Sequence, residues 1–451
     1  MEKTNRYNPK RKSYSVLFSL AALINMPWLC MAQNHGELDT ALPFLTPEQT
    51  VERPRLAGQG FRTTVFGEEV TVPNLDRRSV NAWVTGIQFN NPSPSSREFE
   101  PVASLYFWRH PENNNSLLHA DIAIFFNNIF YAEKFEEESP LEWVLTFENY
   151  TLPSASNEII DGEKQLKEEI YWGYLRPGFG LGLREQVSPG HQDNMMALDW
   201  TIEPGFLYFG RNSETAGNFV LPDDTFELRT LLSYRWDALQ RNTLSLAHDG
   251  FALGADFVYG HRFGWNDWGI NGEHKASEGR NYASVRGYAS VAGNVPFVNN
   301  QRHKLVGLVR AGTGHNVDRF NQGPTQRVFG GINPIGEEYH SLAVPILPGA
   351  ASLEYYPEHF AMAYAEYRYA ATFFTYLSGY ASTTYMNPQR LINGGIHRKE
   401  SILPAVGARV TSGFFGDTRL VLDYSYNFGT VRKDDFGGHS ILVYLSGEFG
   451  R

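Results

Sequence analysis

The sequence has a single cysteine, Cys30, and after its first thirty or so residues it has no apolar run of about 18 residues. Without such runs, a bundle of transmembrane helices is excluded, because each helix needs an apolar stretch of that length. One cysteine forms no disulfide within the chain, so the fold must be stabilised by other means. Transmembrane β-strands remain possible, because their apolar residues alternate with polar ones and the average is polar.

Basic residues are also in short supply. The chain has 39 Lys and Arg against 49 Asp and Glu, for a formal net charge of -10. Part of the basic charge is concentrated in residues 1–12, "MEKTNRYNPKRK", so the remainder is more acidic still. No basic stripe follows, and we therefore expect no nucleic-acid partner.

The N-terminus has the order of a signal peptide. The basic residues 1–12 are followed by the apolar "SYSVLFSLAALI" and by "CMA" before Gln33. This order predicts a signal peptide over 1–32 and hence export, with a basic tail before a short buried helix as the alternative. Acylation of Cys30, as in a lipoprotein, is disfavoured because the preceding Trp28 and Leu29 are bulky.

Alternation is the clearest pattern further along the chain. In "RLVLDYSYNFG", residues 419–429, one parity is apolar and the other polar. The apolar set is Leu420, Leu422, Tyr424, Tyr426 and Phe428, and the polar set is Arg419, Asp423, Ser425 and Asn427. The same pattern recurs in "LEWVLTFENY" at 141–150, "TFELRTLLSYRWD" at 225–237 and "SILVYLSGEF" at 440–449. Each segment predicts a strand with one apolar and one polar face.

These strands recur at intervals of about 15 to 30 residues and are separated by turn-rich stretches, which predicts an antiparallel meander. A soluble β-sandwich is the alternative, but its strands average about five or six residues, whereas several here reach the roughly ten that a tilted strand needs to cross a bilayer. Aromatic residues near strand ends are typical of interfacial girdles; they include Tyr234, Trp236, Tyr424, Tyr426 and Phe428. The sequence therefore predicts an all-β transmembrane barrel of about 14 to 16 strands in the bacterial outer membrane, with lipid on its apolar face.

The predicted organisation has three parts. Residues 1–32 are the signal peptide, 33–78 a proline-rich and charged periplasmic extension or plug, and 79–451 the barrel, whose first strand is expected at 80–89. The charged segment "NEIIDGEKQLKEE", residues 157–169, predicts either a short helix in a loop or a charged turn. No motif for a cofactor or a metal ion is recognised.

The last part of the sequence, roughly residues 280–450, resembles the barrel of the BamA-type outer-membrane assembly and translocation superfamily, also called bacterial surface antigens. The similarity is carried by "AVGARVTSGFFGDTRLVLDYSYNFG" and "HSILVYLSGEFG", and upstream by "GAASLEYY" and "AEYRY". The resemblance implies a closing strand whose C-terminal signal, Tyr444 and Phe449 here, engages the barrel assembly machinery during insertion.

The resemblance also implies an Arg-Gly-aromatic tip on a loop folded into the lumen. The literal match is "VRGY", with Arg286, Gly287 and Tyr288, whereas the usual preceding "FGG" stands at 329–331, where no Arg-Gly follows. Arg286 is therefore either the loop tip or an ordinary lumen arginine in a strand. A buried guanidinium needs carboxylates, and our candidate partner is Glu366, which shares its parity with Arg368.

Members of the superfamily that handle proteins carry POTRA modules, and residues 33–78 are too few for even one. The resemblance therefore implies transport, or insertion or translocation of protein or lipid, and leaves the cargo open. A passive porin is the main alternative, and its inward-facing carboxylates would favour cations; they are Glu142, Glu148, Glu227 and Asp256.

We do not expect an enzyme. His340 and Ser341 are adjacent and would point to opposite faces of a strand, while His110 and the pair His248 and Asp249 have no nucleophile at motif spacing.

Overall fold

The computed structural model describes residues 56–321 and 346–449, apart from short gaps at 66–67, 73, 75, 94–98, 112–113, 124–125, 152–155, 157, 188–193, 299, 352–353, 373, 393–394, 414–417 and 433–434. The segment interpreted as a signal peptide, 1–32, lies outside these residues, as does most of the proposed extension. Over the described ranges, no helix has the length and apolar character needed to cross a membrane.

Within the described part of the chain, sixteen antiparallel strands close into one barrel. In chain order they are β1 Ser79–Asn91, β2 Phe99–Arg109, β3 Ser116–Ala123, β4 Phe126–Lys134, β5 Leu141–Thr151, β6 Ile170–Gln186, β7 Met195–Arg211, β8 Thr225–Asp237, β9 Ala247–Arg262, β10 Asn281–Asn294, β11 His303–His315, β12 His359–Thr372, β13 Thr375–Met386, β14 Ser401–Gly413, β15 Thr418–Arg432 and β16 Asp435–Glu448. Each strand pairs with its neighbour in sequence, and β16 pairs with β1 to close the cylinder. The predicted all-β barrel is confirmed, and the expected first strand at 80–89 lies within β1.

The two faces of β15 are as the alternation predicted. Leu422, Tyr424 and Phe428 are 43%, 44% and 51% exposed on the outer surface, whereas Asp423 and Asn427 are buried towards the lumen. The arrangement is the reverse of a soluble core, because the large apolar side chains face outward and the charged ones face inward. An apolar outer face on a closed barrel matches a lipid environment.

The two ends of the barrel differ in their connections. The start of β1 and the end of β16 lie at the same end, which also carries the short connections from β12 to β13 and from β14 to β15. The opposite end carries long connections at 152–169, 263–280 and 316–358. Short turns are periplasmic and long loops extracellular in such barrels, and we orient the chain accordingly.

Residues 158–169 contain a β-hairpin with a charged turn and then a short 3-10 helix, so the short helix and the charged turn between which the sequence left the choice open are both present. Ile159–Ile160 pairs with Glu163–Lys164, and a single 3-10 turn follows at Leu166–Glu168. Asp161 and Gly162 at the tip have φ angles of 53° and 79°. Positive φ at both central residues defines a type I′ turn, for which Asp-Gly is a preferred sequence.

Several lumen-facing glycines make room for aromatic rings on the next strand. A Cβ at Gly260 would stand 2.2 Å from the Tyr282 ring, and one at Gly407 would stand 2.2 Å from the Tyr380 ring. The glycines therefore serve close packing of rings against the barrel wall, as aromatic side chains cover glycine in other sheets.

Candidate functional site in the barrel lumen

Arginines and carboxylates are paired inside the lumen. The Nε of Arg176 donates to Glu227 at 2.9 Å, and the Nε of Arg262 donates to the other oxygen of the same carboxylate at 3.3 Å. Arg262 also donates through Nη1 to Asp318 at 2.6 Å. Arg176, Glu227 and Arg262 are each at most 1% exposed. Glu227 thus lies between two guanidinium groups and is shielded from water by its neighbours.

The other inward carboxylates are paired in the same way. Glu148 accepts from Arg229, which also donates to Glu203, and Glu142 accepts from the Nε of Arg184 at 2.8 Å. Burying a charge is costly unless it is paired and hydrogen-bonded. The arginines therefore neutralise the inward carboxylates. A cation-favouring porin would need these carboxylates to be accessible to ions.

Arg286 lies in the middle of β10 and faces the lumen, so the strand position is the one observed and the loop-tip position is not. Its Nε donates to Asp256 on β9 at 3.2 Å, and Arg235 on β8 donates to the same carboxylate at 2.6 Å. The expected pairing of Arg286 with Glu366 is wrong. Asp256 stands directly opposite Arg286 in the register of adjacent strands, whereas Glu366 lies two strands beyond β10.

Glu366 belongs to a different network on β12 to β15. It accepts from the Nε of Arg368 at 2.9 Å and from the Tyr364 hydroxyl at 2.8 Å, and Nη1 of Arg409 lies 3.7 Å away. Arg409 in turn donates to Asp423, which also accepts from the Tyr380 hydroxyl. Glu366 and Arg368 are therefore brought together as their shared parity suggested.

The remaining sequence-selected residues are spread along the wall. Gly287 lies within β10, and Tyr288 is buried with its ring against Gly254. Tyr444 is half-buried and pairs across the seam with Gly86 on β1, while Phe449 is exposed on the outside and packs edge-on against Phe107. Tyr444 and Phe449 thus lie on opposite faces, and their role as an assembly signal stays a prediction.

A segment of the β11–β12 connection runs inside the extracellular half of the lumen. Leu347, Ala350, Ala351 and Glu354 are almost completely buried. The Gln88 amide of β1 donates to the Ala350 carbonyl at 2.9 Å, and Arg432 of β15 holds Glu354 through a 2.8 Å bond from Nη2. The segment packs along the seam where β16 meets β1. The "FGG" at 329–331 belongs to the same connection and lies outside the described residues.

The periplasmic end is crossed by the β8–β9 connection, residues 238–246. Nη1 of Arg368 donates to the Ala247 carbonyl at 2.6 Å, and Nη1 of Arg419 donates to the Leu244 carbonyl at 2.9 Å. Arg368 belongs to β12 and Arg419 to β15, three and six strands away from β9, so the connection reaches into the opening. The backbone of Ala57 adds a hydrogen bond to Arg241 at 2.8 Å. Sequence patterns gave no signal for this loop, because it has no periodicity.

Extracellular loops form an aromatic cap above the network. Trp172, Trp265, Trp268 and Phe320 pack together, with ring centroids about 5 to 6 Å apart. Glu168 is buried beneath the loops; its burial, and then the negative charge of Glu158, raise its pKa to about 7, while Arg319 acts in the opposite direction. A carboxyl group that titrates near neutral pH therefore lies inside the cap.

Two of the residues considered for catalysis, His248 and Asp249, lie on opposite faces of one strand. His248 is buried and its neighbour Asp249 is exposed on the opposite face of β9, while His340 and Ser341 lie outside the described residues. Among the residues that the structure describes, no group of three or more His, Cys, Asp or Glu side chains could hold a metal ion.

No protein-family model and no curated protein matches the sequence. Similar solved structures include BamA from Haemophilus ducreyi lacking POTRA domains 1-3, at 11% identity and a TM-score of 0.48, covering 87% of this chain and 75% of that chain. CdiB from Acinetobacter baumannii gives 10% identity and a TM-score of 0.44 over 87% and 64%, and OccK10 from Pseudomonas aeruginosa gives 8% and 0.32 over 83% and 99%. Similarities this distant carry no argument about function.

The geometry itself defines the class. A closed sixteen-strand barrel in the described residues, with an apolar exterior and a charged interior, is a multi-pass β-barrel of the bacterial outer membrane.

Proposed function

We propose that this chain is a gated outer-membrane barrel of the bacterial surface antigen type, acting in transport or in insertion or translocation of protein or lipid. The observation that carries the proposal is the state of the lumen. Arg176, Arg184 and Arg262 face inward yet are at most 1% exposed, because carboxylates and aromatic rings enclose them. A barrel filled in this way has to rearrange before anything large passes through it or along its seam.

A permanently open porin is the less favoured function. A porin lumen holds water, so its charged side chains would be hydrated and its carboxylates available to cations. Glu142 and Glu227 are instead paired with arginines and buried. Two connections, 238–246 and 346–358, further obstruct the opposite ends. We also propose that the barrel has no catalytic activity of its own, because the inward carboxylates Glu142, Glu148, Glu227 and Asp256 are engaged by arginines.

Conductance across a planar bilayer tests the gated state. The purified protein should show a mostly closed baseline with brief openings, and Arg262→Ala should increase the open time because it leaves Glu227 and Asp318 without this guanidinium. The matched control is Thr383→Ala, since Thr383 faces outward on β13. Large steady openings of the unaltered protein would instead establish the porin and contradict gating.

A further inference from the structure

Two extracellular hairpins contact each other above the barrel. One is the Asp161 hairpin between β5 and β6; the other pairs Gln389–Ile392 with Gly395–Arg398 between β13 and β14. In a closed barrel of sixteen strands, these two connections are eight strands apart and so leave the wall on opposite sides. A contact between them has to cross the extracellular mouth.

The contact is made by one carboxylate. Asp161 Oδ1 accepts from Nη1 of Arg390 at 2.8 Å, and Oδ2 accepts from the backbone N–H of Leu391 at 2.8 Å. Both oxygens are engaged, one of them by a cation, and charge-assisted bonds of this kind are the strong ones. The side chain of Arg390 is only 10% exposed, so competition from water is limited.

The local sequence places the carboxylate there. The type I′ turn formed by Asp161 and Gly162 puts the aspartate at the tip of its hairpin. Asp is one of the few residues other than Gly that adopts a positive φ readily. The charged segment 157–169, which carries this aspartate, stood out in the sequence. The role of Asp161 is not explained by the ion-pair network in the lumen or by the two inward connections.

We propose that Asp161, Arg390 and Leu391 form a clasp that holds the extracellular mouth shut, so that opening outward requires this contact to break. The inference rests on the proposed function, since only a gated barrel needs a clasp. The extracellular ion pair of Lys275 and Asp267, by contrast, lies within a single loop and joins no two sides of the mouth. The clasp couples the two sides of the mouth because each hairpin is anchored in its own pair of strands.

Single-channel recording of the full chain in planar bilayers tests the clasp. Asp161→Ala and Arg390→Ala should each raise the open probability about tenfold, as expected for the loss of a charge-assisted contact. The double variant should open no more than the Asp161 variant, because both changes break the same contact. Asp267→Ala is the control: it also removes a lysine contact and a backbone N–H bond on the extracellular side, but both contacts lie within one loop.

A cross-link provides a second measurement. In a Cys30→Ser background, Asp161→Cys with Arg390→Cys should abolish openings when oxidised and restore them on reduction. If Asp161→Ala fails to assemble, Asp161→Asn keeps the turn and should still raise the open probability. If the unaltered protein and the variants had the same low open probability, the clasp would be refuted and the gated function would stand. Large steady openings of the unaltered protein would overturn the clasp and the gated function together.

Discussion

Placing a charge on the outer face of β15 tests the barrel most directly. Leu422 is 43% exposed on the outer surface, which faces lipid. An arginine near the bilayer midplane of a barrel costs about 2 to 4 kcal/mol. Leu422→Arg should therefore lower the equilibrium constant for folding by roughly 30- to 900-fold, since about 1.36 kcal/mol corresponds to a factor of ten.

Two variants separate the charge from the loss of packing. Leu422→Ala removes the same side chain without adding charge and should cost less than Leu422→Arg. Asp423→Asn keeps an acceptor for the Tyr380 hydroxyl, and Arg409 keeps Glu366 nearby, so its cost should also be smaller.

The assay is urea unfolding in lipid vesicles, followed by the fraction that migrates faster before heating than after, because a closed hydrogen-bonded barrel resists detergent. Equal midpoints for Leu422→Arg and Leu422→Ala would refute a lipid-facing Leu422. If Asp423→Asn proved far more damaging than Leu422→Arg, the two faces would have to be exchanged.

Three further predictions use the same unfolding assay or proteolysis. Arg176→Ala should destabilise the barrel by about 3 to 5 kcal/mol, because it removes one partner of a buried pair; a change below 1 kcal/mol would mean that water reaches the site. Double-mutant cycles should give a clear coupling between Arg286 and Asp256 and almost none between Arg286 and Glu366, and the reverse ranking would contradict the observed pairing. The pKa of Glu168 is raised from 4.5 to about 7 in the folded cap, so its stabilising protonated state is fully present below about pH 4.5 and is lost as the pH rises through 7. Cleavage of the extracellular loops by protease should accordingly be faster at pH 8 than at pH 5, and Glu168→Gln should reduce that difference; an unchanged pH profile in the variant would exclude Glu168.

The faces of the strands were predictable because lipid and lumen impose a period of two on each strand. In β6, "GFGLGLRE" places Phe179 and Leu181 outside and Gly180 and Arg184 inside, as the alternation indicated. The pairing of Arg286 was also within reach. Consecutive strands of a meander are neighbours, so a carboxylate one strand away on the same parity, Asp256, was a better candidate than a distant one.

The irregular segments were not predictable from periodicity. Leu347, Ala350 and Ala351 are buried within the barrel, where the surrounding wall satisfies the local backbone: Gln88 donates to the Ala350 carbonyl and Asn427 to the Pro348 carbonyl. Those donors lie far away in sequence. The Asp161 hairpin is different, because the adjacent Asp-Gly is a local signal for a two-residue hairpin turn. The many charged residues around it favoured a short helix or a charged turn instead.

The rings that lie over lumen glycines constrain how this sequence can vary among its relatives. Gly260 has no room for a Cβ while Tyr282 covers it, and Gly407 has none beneath Tyr380. Each glycine and the ring that covers it are therefore expected to change together: a larger residue at position 260 becomes acceptable only with a smaller one at position 282. In an alignment of homologues, these positions should covary across neighbouring strands, and the covarying pairs would reveal strand order and register even where the apolar exterior has drifted beyond recognition.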